Sequence, residues 1–206
     1  MHRESSVHPH VPFERADLFA TSNGEATEHE YIRLIRAMVR ATKPARLLET
    51  GTFRGDTTIE LARATVANGF GHIVTLDVDQ DHSQRACEML AREVPHASVE
   101  CITRHSMDYL RDHTTQPFQF AFLDSLIPTR AEELGLLLDR NLLPPGAIVM
   151  IHDTSRMRVR NDGTPDPDTS DFWTRFVAVR RRHQLTRVIE LPLSRGMLMI
   201  QVGGCP

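Results

Sequence analysis

The chain has 206 residues, of which 40% are hydrophobic, and a formal net charge of −3 at pH 7. This length suits one domain, or one domain with an extension, and it is long enough to bury a sizeable core. Because charges of both signs are interspersed, no basic surface indicates a nucleic acid or an anionic membrane as a partner.

Residues 1–24 are rich in polar residues and proline and end in a Ser-Asn-Gly turn signal, which predicts an N-terminal arm or lid. Apolar residues spaced three and four apart then predict an amphipathic helix over residues 27–42. The predicted strands cover residues 46–50, 72–77, 98–103, 118–124, 147–153, 186–191 and 196–201. The predicted helices between them cover residues 56–67, 83–94, 107–110, 129–141 and 171–182.

Strands that alternate with helices predict a parallel sheet wound by right-handed crossovers. The last two strands differ, because a link of about four residues can join only antiparallel neighbours. The sequence therefore predicts an α/β fold built on a Rossmann-like seven-stranded mixed sheet. Five parallel βα units are followed by an antiparallel C-terminal strand pair, with helices on both faces.

The three cysteines, Cys87, Cys101 and Cys205, are odd in number and lack the CxxC spacing of zinc sites. This pattern argues against a disulfide framework and favours a reducing cytoplasm. No apolar run approaches the ~20 residues that span a bilayer. The N-terminus also lacks the apolar segment of a signal peptide, so a soluble cytoplasmic protein is expected.

Four of the five predicted parallel strands end in an acidic residue, namely Glu49, Asp77, Asp124 and Asp153. Ligands of open α/β sheets bind at the carboxyl ends of the strands. One isolated acid at such a position is as often a helix cap or a loop residue. Four of them at one edge predict an acidic rim around a single crevice.

The turn after the first strand holds Gly51 and Gly55, which let the backbone turn tightly and approach a ligand. A pyrophosphate site would favour a third glycine and no acid, whereas here Phe53 takes the middle position and Glu49 precedes the turn. Glu49 therefore suits a ligand with an ammonium or sulfonium group. Asp77 suits a ribose, whose two hydroxyls can donate to a carboxylate. S-adenosylmethionine has both features and no phosphate.

The pattern E-x-G-x-F-x-G-x-T from Glu49 to Thr57 resembles the first motif of class I S-adenosylmethionine-dependent methyltransferases, in particular the small catechol-type and natural-product O-methyltransferases. The resemblance covers roughly residues 27–201 and includes their lead into the fifth strand, at Leu142–Gly146. It implies a methyltransferase domain over residues 25–206, with S-adenosyl-L-methionine as cofactor. The residues that it places at the cofactor are Glu49, Thr50, Gly51, Thr52, Phe53, Gly55, Thr57, Asp77, Val78, Ser106, Met107 and Asp124.

Catechol-type enzymes bind Mg²⁺ through an Asp after the fourth strand and an Asp-Asn pair after the fifth. The matching positions here are Asp124 and His152-Asp153, which makes Asp124 and Asp153 candidate Mg²⁺ ligands. Imidazole suits Zn, Fe or Ni better than it suits Mg²⁺. The lysine base of the catechol-type enzymes is also replaced by Ile127 here, so Mg²⁺ is not favoured. Instead His152 is predicted as the general base, with Asp153 orienting it or accepting the proton. The alternative for His152 is a cap on the following loop.

Residues 154–170 form a loop too long for a simple connection, which is typical of an acceptor-binding segment. Its arginines, Arg156, Arg158 and Arg160, suit an anionic acceptor or are simply solvated. Phe172 and Trp173, which follow, are predicted chiefly as core residues. Tyr31 and the N-terminal arm are candidates to cover the acceptor.

The leading hypothesis is methyl transfer to a hydroxyl of a small-molecule acceptor, possibly in the tailoring of a natural product. An N-methyltransferase and a Mg-dependent catechol-type enzyme are the alternatives within the fold. A nicotinamide-dependent oxidoreductase is disfavoured by Glu49 and Phe53. A binding module with a methyltransferase fold would lack a competent acceptor site. A homodimer is compatible with the sequence.

Overall fold

The computed structural model of the chain describes residues 26–112, 116–156, 164–191 and 195–203. Its strands are β1 (Arg46–Thr50), β2 (His72–Asp77), β3 (Ser98–Thr103), β4 (Phe120–Leu123), β5 (Ile148–His152), β6 (Val188–Leu191) and β7 (Met197–Gln201). Its helices are α1 (His29–Thr42), α2 (Asp56–Asn68), α3 (Gln80–Glu93), α4 (Ser106–Asp112), α5 (Ile127–Asp139) and α6 (Pro167–Arg182). The predicted arm at residues 1–24 lies outside the described residues.

The sheet has the strand order β3-β2-β1-β4-β5-β7-β6. Strands β1 to β5 pair in parallel, and β7 pairs antiparallel with both β5 and β6. The predicted α/β fold with a seven-stranded mixed sheet is therefore confirmed. The chain winds outward from β1 in one direction and from β4 in the other, so the strand order switches between these two neighbours. In such sheets the switch point is where ligands bind.

Side chains alternate across the sheet, which gives the molecule a hydrophobic core on each face. Leu48 of β1 packs on one side with residues of α5 and α6 such as Leu134 and Phe176. Leu47 packs on the other side with residues of α1, α2 and α3, including Ile35. All five residues of β5 are buried, which explains its nearly continuous apolar sequence. The resulting three layers hold the carboxyl ends of the strands in fixed positions.

Of the helices that begin earlier than predicted, α3 and α6 differ most, and in both an aspartate cap is the reason. The carboxylate of Asp79 accepts hydrogen bonds from the backbone N–H groups of Asp81 and His82, so α3 begins at Gln80. Asp166 accepts in the same way from the N–H of Asp168, and α6 begins directly after it with a proline. The long loop predicted after β5 is therefore shorter than expected.

The prediction that the cysteines form no disulfide is wrong for one pair. Cys87 of α3 and Cys101 of β3 are bonded to each other, with their Cα atoms 6.3 Å apart. The two residues lie on consecutive elements that pack together, which the cysteine spacing alone does not indicate. No helix among the described residues is long and apolar enough to cross a membrane.

Candidate active site

A cavity of about 410 Å³ opens where β1, β2 and β4 end, at the predicted edge of the sheet. This volume is within the range of small-molecule sites. Eight of the twelve predicted cofactor residues line it: Gly51, Thr52, Phe53, Thr57, Asp77, Val78, Ser106 and Asp124. Asp153, which was predicted as a catalytic residue, also lines the cavity. The sequence did not single out the remaining lining residues, which are Ala26, Thr27, Arg54, Asp56, Leu76, Arg104, His105, Ser125, Leu126, Thr129 and Arg130.

The turn after β1 needs its two glycines for different reasons. Gly51 has a φ of +87°, and a Cβ on it would lie 2.3 Å from the carbonyl oxygen of Asp124. It therefore lets the turn after β1 pass against the turn after β4. Gly55 does not line the cavity; a Cβ there would lie 3.0 Å from the Cβ of Ala86, so this glycine lets α2 begin close to α3.

Asp77 is held rigidly at the cavity wall. Its Oδ2 accepts a hydrogen bond from the backbone N–H of Phe53 at 2.7 Å, and its Oδ1 accepts one from the N–H of Asp79 at 2.9 Å. The ring of Phe53 packs edge-on against that of His82, with centroids 4.9 Å apart. Because a carboxylate has about four lone-pair sites, Asp77 can still accept two further hydrogen bonds from a ligand.

Glu49 is fully buried beneath this turn and does not line the cavity. Its Oε2 accepts hydrogen bonds from the hydroxyls of Thr58 at 2.5 Å and Thr75 at 2.6 Å. Burial raises the pKa of the Glu49 carboxyl to about 7, and the nearby charges of Asp124 and Asp77 add to the effect. The predicted contact between Glu49 and a cationic ligand stays a prediction.

A second buried acid, Glu133 of α5, connects several of the cavity's loops. Thr50, which was predicted at the cofactor, donates from its hydroxyl to Oε2 of Glu133 at 3.0 Å. Burial raises the pKa of Glu133, and the nearby hydroxyls, among them that of Thr50, partly offset this rise. Met107 is buried behind the cavity. Thr50 and Met107 therefore support the site from beneath.

Behind the opposite wall, His152 is buried between two carboxylates and is only 1% exposed. Its Nδ1 lies 3.1 Å from Oδ1 of Asp124, and its Nε2 lies 2.7 Å from Oε2 of Glu28. Burial alone would lower the pKa of His152, but Asp153, Asp124 and Glu28 raise it to about 9. Both ring nitrogens are engaged, and His152 does not line the cavity.

Arg130 of α5 connects the ends of β4 and β5. Its Nη2 lies 2.9 Å from Oδ1 of Asp124, and its Nη1 lies 3.2 Å from Oδ2 of Asp153. Its Nε donates to the carbonyl of Ser125 at 2.7 Å, and Nη1 also donates to the carbonyl of His152 at 2.5 Å. Unlike His152, Arg130 lines the cavity. A planar guanidinium fixed by so many acceptors has one orientation.

Arg195, just before β7, is the third basic residue beside these carboxylates. Its Nε lies 3.2 Å from Oε1 of Glu28 and 3.4 Å from Oδ1 of Asp153, and its Nη2 donates to the carbonyl of Ala26. Three acids and three basic groups thus meet at one place: Glu28, Asp124, Asp153, Arg130, His152 and Arg195. We call these six residues the charge cluster. Buried charges of this kind need partners of opposite sign, and here the numbers match.

Sequence reasoning missed Glu28, Arg130, Arg195 and Glu133. One signal was available for two of them, because Arg130 and Glu133 lie on the buried face of α5 together with apolar residues such as Leu134. Charged residues on the buried face of an amphipathic helix are uncommon unless they are paired. Glu28 and Arg195 gave no such signal.

The candidate Mg²⁺ ligands were tested against this geometry. Ligand atoms of Asp124, His152 and Asp153 lie within 4.8 Å of one another, which would suit a single cation. However, Arg130 contacts both carboxylates, and both nitrogens of His152 face carboxylates. As they are arranged, these residues do not fit a metal ion.

The segment after β5 is fixed by α6. The indole N–H of Trp173 donates to the carbonyl of Thr154 at 2.9 Å, and the guanidinium carbon of Arg156 lies 3.3 Å from the Trp173 ring centroid. Phe172 and Trp173 are buried in the core, in agreement with their preferred role. Arg158 and Arg160 lie outside the described residues.

Comparisons with known proteins agree with this geometry. A family model described as a methyltransferase domain matches residues 48–154. The chain is 22% identical over 169 residues to the O-methyltransferase ankF of Aspergillus thermomutatus, an alignment that covers 76% of this chain and 70% of that protein.

Two solved structures have the same fold. One is the O-methyltransferase TomG of Streptomyces achromogenes, which is involved in tomaymycin synthesis and was solved with S-adenosylmethionine. Its TM-score is 0.71 at 26% sequence identity, and the match covers 87% of this chain and 82% of that one. The Podospora anserina methyltransferase PaMTH1, solved with S-adenosylhomocysteine, has a TM-score of 0.75 and 19% identity, covering 94% and 83%.

Proposed function

The chain belongs to the methyltransferase domain family, and we propose that it transfers the methyl group of S-adenosylmethionine to a hydroxyl of a small molecule. One observation carries this proposal: the same cavity is lined by Asp77 on one wall and by Arg130 and Asp153 on the other. The likeness to ankF and TomG, both O-methyltransferases, supports the choice of a hydroxyl acceptor.

The wall formed by β1 and β2 suits the cofactor. Asp77 accepts hydrogen bonds from the two ribose hydroxyls, since its carboxylate is fixed by two backbone donors and faces the cavity. Gly51 and Thr52 line the cavity on the side that suits the methionine portion, where the tight turn at Gly51 lets the backbone itself face the ligand. Val78 and Ser106 lie on the side where the adenine packs.

The wall formed by the ends of β4 and β5 suits the acceptor. Methyl transfer forms a bond between the acceptor oxygen and the methyl carbon while the bond from that carbon to sulfur breaks, and the hydroxyl proton has to leave. Asp153 lines the cavity and accepts this proton, and the positive charge of Arg130 stabilises the oxygen as it loses the proton. His152 is better suited to orienting Asp124 than to acting as the base, because both of its nitrogens are engaged.

Holding the two substrates in line supplies much of the acceleration, on the order of 7–11 kcal/mol in favourable cases. This is why a rigid cavity matters here more than a strong base. We further propose that the acceptor is an intermediate of natural-product biosynthesis, in keeping with the role of TomG in tomaymycin synthesis. A cytoplasmic location and a homodimer stay predictions.

Replacing Asp77 by alanine is expected to weaken S-adenosylmethionine binding at least tenfold. The change removes two charge-assisted hydrogen bonds to the ribose, worth roughly 1.5–3 kcal/mol each. Isothermal titration calorimetry with the wild-type protein and the variant measures the difference. NAD, titrated in parallel, is expected to show no comparable binding.

Asp79→Ala is the matched control, because Asp79 is an exposed acid two residues away that caps α3 and does not line the cavity. It is expected to change cofactor affinity much less than Asp77→Ala. Equal affinities for wild type and Asp77→Ala would refute the ribose assignment, and a preference for NAD would refute the proposed cofactor.

A further inference from the structure

We propose that Arg130 occupies the position of a divalent cation between Asp124 and Asp153, so that the site carries its positive charge in a side chain. Removing the guanidinium would then create a cation site. The inference concerns the charge cluster itself and is tested without methyl transfer.

The first argument is the position of the guanidinium. Ligand atoms of Asp124, His152 and Asp153 lie within 4.8 Å of one another, a spacing that would suit one shared ion. Arg130 contacts both carboxylates of this group, Asp124 at 2.9 Å and Asp153 at 3.2 Å. The carboxylate oxygens that would bind a cation are therefore already engaged by a positive group.

The second argument is the fixed conformation of Arg130. The residue is 4% exposed, and besides the two carboxylates it donates to the backbone carbonyls of Ser125 and His152. An entering metal ion would have to displace the guanidinium from all four acceptors. It would also leave a buried charge without partners, which is strongly unfavourable.

The third argument is charge balance. The charge cluster holds three acids and three basic groups, all of them largely buried. A divalent cation added beside Arg130 would place like charges next to each other in a region of low dielectric constant. Without Arg130 the cluster would instead lack one positive charge, and that deficit would favour a cation at the vacated place.

The chemistry of the vacated acceptors indicates which cation would bind. Loss of Arg130 frees oxygen atoms from Asp124, Asp153 and two backbone carbonyls. Carboxylate and carbonyl oxygens are the ligands that Mg²⁺, Ca²⁺ and Mn²⁺ prefer. Among these ions Mn²⁺ is the practical probe, because its electron paramagnetic resonance signal reports the free ion directly.

The experiment titrates Mn²⁺ into the chelator-treated full chain and measures free Mn²⁺ by electron paramagnetic resonance. We expect Arg130→Ala to bind one equivalent with a dissociation constant of about 10⁻⁴–10⁻³ M, the range of weak oxygen-ligand sites. The wild type is expected to bind at least tenfold more weakly. Adding Asp153→Asn to Arg130→Ala is expected to abolish the gain.

Arg195→Ala is the matched control, because Arg195 is an equally buried arginine of the charge cluster that contacts Glu28 and Asp153. It is expected to gain no Mn²⁺ site, since Arg130 stays in place. Arg130→Lys, which keeps the positive charge, is also expected to gain none. Arg130→Gln, which removes the charge but keeps a polar side chain, is expected to gain the site and replaces the alanine variant if that one does not fold. Circular dichroism of the same proteins reports folding, and S-adenosylmethionine titration reports the proposed cofactor separately.

Two results would overturn the inference. One is wild-type protein that binds one equivalent of Mn²⁺ and loses it on Asp153→Asn, which would show that the guanidinium does not exclude a cation. The other is a folded Arg130→Ala protein with no more affinity for Mn²⁺ than the wild type.

Discussion

Replacing Asp153 by asparagine is expected to slow methyl transfer by a factor on the order of 10²–10⁴, the range of a lost proton acceptor. Cofactor affinity is expected to stay within a few-fold of wild type, because Asp153 lies on the wall opposite Asp77. The substitution suits the backbone, since Asp153 has a φ of +55° and asparagine tolerates this left-handed conformation well. The rate is measured as S-adenosylhomocysteine formation with a hydroxylated acceptor that the wild type methylates.

Asp139→Asn is the control for the loss of one carboxylate. Asp139 ends α5 and pairs with Arg182 on the surface, remote from the cavity wall, so its replacement is expected to leave the rate nearly unchanged. An Asp153→Asn variant that transfers methyl groups at the wild-type rate would remove Asp153 from the mechanism.

Replacing His152 by alanine is expected to lower the free energy of unfolding by about 3–5 kcal/mol, as happens when one partner of a buried ion pair is removed. The imidazolium is the charge that lies between Glu28 and Asp124. Urea denaturation of the wild type and the variant, followed by circular dichroism, measures the change. A variant that loses rate but keeps wild-type stability would instead support the original prediction of His152 as general base.

The loss of stability caused by His152→Ala is expected to depend on pH. The pKa of His152 is about 9 in the folded chain and about 6.5 in the unfolded chain, so the folded state binds the proton more tightly. Its contribution to stability is therefore fully present below about pH 6.5 and is lost as the pH rises through 9. The stability difference between wild type and His152→Ala is expected to shrink over this range.

His72→Ala is the matched control for the His152 substitution. The imidazole of His72 is partly exposed on β2, 2.8 Å from the hydroxyl of Ser98 and 3.7 Å from Glu100. Pairs near the surface contribute about 0–1 kcal/mol, so its loss is expected to change stability little at any pH.

Much of the fold was predictable because its signals are local. Strands β1, β2 and β3 have the predicted bounds, since β1 and β2 contain short apolar runs and β3 alternates polar with less polar residues. The crevice was predictable for the same reason, because the carboxyl ends of parallel strands meet at one edge. Asp77, Asp124 and Asp153 do line one cavity there.

The charge cluster was not predictable, because its contacts join residues far apart in the chain. Glu28 and His152 are 124 positions apart, and Glu28 and Arg195 are 167 apart. Hydrophobic periodicity shows which face of an element is buried but not which distant charge it meets. The role of His152 depended on those partners, which is why sequence alone favoured a base and the structure favours a positioning role.

The transfer of an isotope-labelled methyl group from S-adenosylmethionine, by protein treated with EDTA, tests the central claim most directly. The acceptors are a panel of phenols, alcohols and amines, and mass spectrometry locates the label in each product. We expect the label on oxygen, at a rate that EDTA does not change, since Arg130 supplies the positive charge beside Asp124 and Asp153. Label found only on nitrogen, or transfer that EDTA abolishes and added Mg²⁺ restores, would contradict this account.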